Sequence, residues 1–123
     1  MKKVEKPWGY EEWVVNDEYC GKRLVIMKGK RSSLHYHKEK KETFYVLKGA
    51  IFLEWSPQVD YSVRKTLICN ETLKEGDVFT IEVGVLHRFE GLRNVNEIME
   101  ISTHHSDKDV YRLPGYKDKE SLK

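Results

Sequence analysis

Along the chain, apolar residues come in short runs rich in Val, Ile, Phe, Tyr and Trp, and glycine or charged residues separate one run from the next. No segment keeps a 3.6-residue period over three turns, so the pattern predicts strands rather than helices. Candidate strands cover residues 12–15, 23–28, 33–37, 43–47, 50–55, 63–69, 78–81, 87–90 and 98–103. The turn signals fit this spacing. In "VLKGAIFLEW" Lys48 and Gly49 stand between two apolar runs, and in "LKEGDVF" Glu75, Gly76 and Asp77 precede another. Many short strands with turns every eight to twelve residues imply an all-β sandwich or barrel. After Thr103 the pattern changes: Ser106 is placed to cap a short helical turn over 107–112, ended by Pro114 and Gly115. A single domain over residues 1–116 and a charged, frayed tail over 117–123 are expected.

Charge and cysteines narrow the class. The 22 Lys and Arg against 20 Asp and Glu give a formal charge of +2, too little to point to nucleic acid or an anionic membrane. Apolar runs such as "AIFL" are far shorter than the ~20 residues of a membrane-spanning helix. Cys20 and Cys69 lie far apart without a CxxC partner, and "MKKVEKPWGYEEW" holds no apolar signal core. Reduced thiols and a cytoplasmic location are therefore expected.

The candidate chemistry lies in "LHYHKEKKETF". On a strand His35 and His37 share one face while Tyr36 takes the other, so both imidazoles can meet one ion. Glu42 opens the next strand and can return a carboxylate across the turn, completing a facial arrangement suited to divalent ions. "VGVLHRFEG" offers His87 as a third imidazole, with Phe89 on its face. Three histidines and one glutamate leave two positions of an octahedral ion for water or substrate. The alternative is a pair of partly exposed strand histidines; in either case "KEKK" is expected to be a charged, solvent-facing turn that joins the two strands.

Spacing favours the site. Gly29, His35, His37, Glu42 and Gly49 match every fixed position of the first motif of the cupins, which the chain therefore resembles. The second cupin motif is represented by Gly76, Gly84 and His87, but Glu82 stands at its proline position and Gly91 at its asparagine position. The resemblance implies a cupin jelly-roll β-barrel. It also implies one divalent ion, with Mn, Fe, Zn, Ni and Co not distinguished by the ligand set, on His35, His37, Glu42 and His87. The flanks, with Pro7, Trp8, Gly9, Lys22 and Arg23 before the histidines and "LHRFEGLRNVNEIMEISTHHSDKDVYRLPGYK" after them, are similar to the cupin half of type II mannose-6-phosphate isomerases. These residues correspond to the cupin half alone, and "STHHSDKD" stands where the family has a glycine-bearing loop.

That similarity implies aldose–ketose isomerisation of a small-molecule sugar or sugar phosphate, in which an ion polarises the substrate and a base moves a proton between adjacent carbons. Glu100, opposite in face to Met99 and Ile101, is the candidate base, and His104, or its neighbour His105, a candidate proton relay. Lys22, Arg88 and Arg112 are candidates to hold a phosphate or carboxylate. Trp8, Trp13 and Trp55 could form a sugar-stacking surface, but core packing or a subunit interface is the favoured reading. An edge strand near the N-terminus, together with the cupin resemblance, leads to an expected homodimer. Two other activities fit the same ligands: an Fe(II)-dependent dioxygenase and a non-catalytic carbohydrate-binding cupin.

Overall fold

The computed structural model describes residues 1–56 and 69–112. Two antiparallel sheets face each other in a jelly roll. The first runs β1(Lys2–Lys6), β2(Gly9–Asn16), β3(Tyr19–Met27), β10(Val95–Thr103), β5(Glu42–Lys48), β8(Val78–Ile81) in spatial order. The second runs β11(Tyr111–Arg112), β4(His35–Tyr36), β9(Leu86–Gly91), β6(Ala50–Ser56), β7(Cys69–Lys74). The late strand β10 is inserted between β3 and β5, so the first sheet is closed by residues far apart in sequence.

Alternation fixes which side chains enter the barrel. Lys40, Glu42, Phe44 and Val46 are buried while Lys41 and Tyr45 are exposed. In β10 Asn96, Ile98, Glu100 and Ser102 point inward, and in β3 Cys20, Lys22, Leu24 and Ile26 do so. The strand registers line these up in rows across the sheet. Cys20, Ser102 and Glu42 form one row, and Lys22, Glu100 and Phe44 the next. Leu24, Ile98 and Val46 follow, so the interior is polar at one end and apolar at the other. Trp8, Ile51, Leu53, Leu73, Ile81 and Phe89 complete the apolar cluster, with Trp8 edge-on to Phe89 at 5.1 Å. Each fully buried aliphatic side chain contributes about 1.5–3 kcal/mol by leaving water.

A single side chain closes the apolar end. Asn96, fully buried, accepts from the Ala50 and Arg93 amides and donates to the Ile26 and Arg93 carbonyls. It also explains two glycines. A Cβ at Gly49, whose φ is +77°, would lie 2.5 Å from Asn96 Oδ1, and one at Gly91 would lie 2.6 Å from Asn96 Nδ2 and from the Met27 carbonyl. The second-motif asparagine therefore has no room at position 91. The other departure is equally mild. Glu82 is exposed and paired with Lys41 at 3.5 Å, and the turn forms without proline, with the Val85 amide donating to the Glu82 carbonyl at 3.2 Å.

Several expectations need correction. β1 is a strand the pattern did not predict, because "KKVEK" carries only Val4 as an apolar residue and lies at a sheet edge, where one side needs no burial. β7 runs over Cys69–Lys74; the strand expected at 63–69 falls, apart from Cys69, outside the described residues. Like β1 it is an edge strand, and its mostly exposed, polar sequence hid it. In place of a helical turn over 107–112 there is one 3₁₀ turn, Asp107–Asp109, followed by β11. Ser106 does cap it, its Oγ accepting from the Lys108 amide at 3.3 Å. Pro114, Gly115 and the expected charged tail over 117–123 lie outside the described residues.

Candidate metal centre

The three histidines converge at the polar end. β4 carries His35, with His37 one step beyond, and β9 carries His87, directly opposite His35 in the ladder. One nitrogen from each ring lies within 4.8 Å of the others. The outward-facing nitrogens are all occupied: Nδ1 of His35 meets the Ser33 carbonyl at 2.8 Å, His37 that of Asp109 at 2.9 Å, and His87 that of Val85 at 2.9 Å. A carbonyl can only accept, so each Nδ1 carries a proton, and in the neutral ring Nε2 is then the nitrogen available to a metal. Such carbonyl partners fix ring orientation and tautomer in metal sites.

Glu42 adds negative charge to this set. Its Oε2 lies 3.1 Å from His37 Nε2 and 3.4 Å from His87 Nε2, all three atoms being buried and without a hydrogen-bond partner. Burial raises the Glu42 pKa, but the charge of Lys40 and the contacts with His37 and His87 hold it well below the usual carboxylate range. Burial, with His87 and His37 beside it, pushes the His35 pKa well below 6.5. A buried carboxylate thus faces two buried imidazole nitrogens in the centre of the histidine set. Buried polar atoms without a partner are costly unless a ligand satisfies them, and three imidazoles with a carboxylate fit a divalent metal ion.

Lys40 is the residue the sequence hid most completely. The sequence places it in the solvent-facing turn "KEKK", yet it is 4% exposed. Its ammonium lies 3.1 Å from Glu100 Oε2, 3.1 Å from His105 Nδ1 and 4.0 Å from Glu42 Oε1. Burial pushes its pKa down, but Glu100 and Glu42 more than offset this and keep it charged. The missed signal is the alternation of β5, which, extended two residues back from Glu42, places Lys40 inside. Asp109 was also missed. Its carboxylate accepts from the amides of Lys38, Glu39 and Lys40 while its carbonyl holds His37, so one residue shapes the loop between the ligands and aims one of them.

His35 and His37 open into a cavity of about 550 Å³, its mouth included. Lys22 and Glu100 line it, both buried, with Lys22 Nζ 3.6 Å from Glu11 and 4.1 Å above the Trp13 ring. Arg112 lines it too, its Nε donating to Ser33 Oγ at 3.1 Å. His105 reaches the cavity, whereas His104 is exposed, with Nδ1 on the Asp17 carbonyl at 2.8 Å. Arg88 sits one residue from His87 and so on the opposite face of β9, its Nε donating to Glu54 at 2.8 Å and its side chain not among the cavity's lining. Of the tryptophans, Trp8 lines the cavity, while Trp55 packs on Phe79.

No protein-family model and no curated protein sequence matches the chain. Solved structures do. KdgF from Halomonas sp. matches with a TM-score of 0.71 at 15% identity, covering 88% of this chain and 90% of that one. Oxalate decarboxylase from Bacillus subtilis matches at 0.75 and 18% identity, covering 91% of this chain but only 30% of its own length. The oxalate decarboxylase of Lactobacillus farciminis, in a formate complex, matches at 0.73 and 16% identity, over 91% of this chain and 33% of that one. Among the matching structures is one of the Bacillus subtilis enzyme described by its Mn(II) centres. At these identities the likeness concerns architecture: the chain has the cupin jelly-roll fold, with three histidines at its polar end that can hold a metal ion.

Proposed function

We propose that the protein is a metal-dependent cupin that isomerises a small sugar or sugar phosphate between aldose and ketose. The observation that carries this reading is the set of buried, unpartnered atoms, Nε2 of His37 and His87 with Oε2 of Glu42, beside a cavity that His35, His37 and Glu42 line together with a second carboxylate, Glu100. His35, His37, His87 and Glu42 would hold the ion, which when bound supplies a Lewis acid for a carbonyl and its neighbouring hydroxyl.

Glu100 would then take the proton from the hydroxyl-bearing carbon beside the carbonyl and return it to the former carbonyl carbon. The hydroxyl proton moves between the two oxygens, so substrate and product have the same atoms and oxidation balance. Lys40, bonded to Glu100 Oε2, orients that carboxylate and offsets its charge within the cavity. The apolar wall of Trp8, Leu24 and Phe89 limits water beside the reacting carbons.

The test is metal analysis of the purified protein followed by NMR in deuterated solvent on a panel of aldoses, ketoses and their phosphates. Deuterium at C1 or C2 of a converted sugar, lost in Glu100→Gln with metal content unchanged, is the expected result. Turnover that consumes oxygen and stops anaerobically would instead select the dioxygenase reading, and binding without conversion the carbohydrate-binding one.

A further inference from the structure

The cavity's charges divide into two groups. Deep inside, Glu42 and Glu100 have Lys40, and Glu11 has Lys22, as partners. Nearer solvent stand two further cations, the half-buried Lys6 at the end of β1 and the exposed Arg112 in β11. Neither has a carboxylate within ion-pair distance among the described residues. Asp107 is near enough to respond to Lys6, but its carboxylate is taken up by His105 at 2.9 Å. Both cations also line a second cavity, of about 690 Å³, that continues from the first past Glu11 and His105 to Trp13.

Arg112 has a defined relation to the histidines. In the second sheet it is the ladder partner of His35, which in turn is the partner of His87. Directly opposed residues of an antiparallel pair share a face with Cβ atoms about 4.5–5.5 Å apart. Arg112 therefore stands one cross-strand step from a metal ligand, on the ligand's own side of the sheet. Ser33 Oγ, accepting from its Nε, fixes one edge of the guanidinium, and a planar guanidinium offers paired N–H donors to a carboxylate or phosphate.

We propose that Arg112 and Lys6 form an anion subsite at the mouth of the metal cavity, which makes the ligand a sugar acid or sugar phosphate rather than a neutral sugar. This rests on the sugar-site reading above and specifies its substrate class. The ligand's hydroxyl and carbonyl oxygens face the histidines, its anionic group meets Arg112 and Lys6, and the second cavity takes any remainder of the molecule along Trp13.

Titration of the metal-loaded protein, read by calorimetry and by the fluorescence of Trp8 and Trp13, tests this without requiring turnover. The probes are mannose against mannose 6-phosphate and galactose against galacturonate, each with the metal-loaded and metal-free protein. At least one anionic probe is expected to bind about tenfold or more tighter than its neutral counterpart, and the better pair identifies phosphate or carboxylate as the group recognised. Arg112→Gln should remove most of that preference while affinity for the neutral probe moves less than about twofold, and Arg112→Lys should restore part of it. Lys6→Gln should give a smaller loss of the same kind. Metal content and melting temperature, unchanged in each variant, exclude a folding defect. Equal affinity for both members of each pair, no binding of either anion, or an unaltered preference in Arg112→Gln would overturn the subsite. Conversion of neutral sugars alone would overturn it and leave the isomerase reading intact, whereas anion preference without any conversion would do the reverse.

Discussion

The two ends of this barrel interior are made of the same strands and differ in what those strands bury. At one end Leu24, Val46, Ile51, Leu53 and Ile98 fill the space. At the other, one or two steps along β3, β5 and β10, stand Lys22, Glu42 and Glu100, each no more than 4% exposed. Burying an apolar side chain stabilises the fold, whereas burying a charge costs several kcal/mol unless a partner offsets it. The apolar end is thus complete on its own terms. The polar end is complete only through mutual pairing among its charges, and at Glu42, His37 and His87 even that pairing leaves buried atoms without a hydrogen-bond partner among the described residues. The difference gives one end what stability needs and leaves at the other a set of groups that can hold a metal ion.

Substitutions that disturb one end alone test that division. Replacing both His35 and His37 with alanine is expected to weaken metal binding by at least about a thousandfold, while urea melts of the metal-free protein stay close to wild type; unchanged metal content would refute the site. Lys40→Met leaves Glu42 and Glu100 buried without their cation and should destabilise the metal-free protein by about 3–5 kcal/mol. The loss should shrink when metal is present, and the double change Lys40→Met with Glu100→Gln should recover part of it. Leu53→Ala, at the apolar end, should cost about 2–5 kcal/mol with metal stoichiometry preserved; if metal were lost with it, the two ends would not be separable.

The smallest effect concerns pH. Burial, with the charges of Lys40 and Lys22, lowers the His105 pKa from 6.5 to about 4. The unfolded chain therefore takes up this proton first on acidification. The stabilisation is fully present above pH 6.5 and is lost as pH falls towards about 4, by up to about 3 kcal/mol. His105→Gln should flatten that part of the stability profile relative to wild type, and a parallel fall in both proteins would show that other groups carry it.

Much of this contrast was legible before any coordinates. The short alternating runs foretold the strands with apolar cores, and for 78–81 the predicted and observed limits coincide. They failed at β1 and β7, where edge position frees a strand from the need to alternate. In the cavity, residues with a chemical signature of their own, the histidines and Glu42, announced themselves by spacing. Lys40 and Asp109 did not, because a lysine in a lysine-rich run and an aspartate in a charged segment look like surface. What sets them apart is partnership with residues some sixty to seventy positions away, as in Lys40 with Glu100 and Asp109 with the amides of 38–40. His104 and His105 show the same limit: adjacent histidines differ in position only because strand phase and the Asn16 contacts turn one inward.

The Asp109 clasp has a consequence in time as well as in space. During synthesis, at about 5–20 residues per second, His35, His37 and Glu42 leave the ribosome well before the aspartate that aims His37 and gathers the loop behind it. Strand β10, which joins β3 to β5 and brings Glu100 to Lys40, is also late. A nascent chain of ninety residues would carry every histidine of the centre and still lack the frame that holds them. The frame around the histidines is therefore completed only after residue 109 has been made, and a series of C-terminally extended, ribosome-stalled chains should begin to retain metal only once that residue has cleared the exit tunnel.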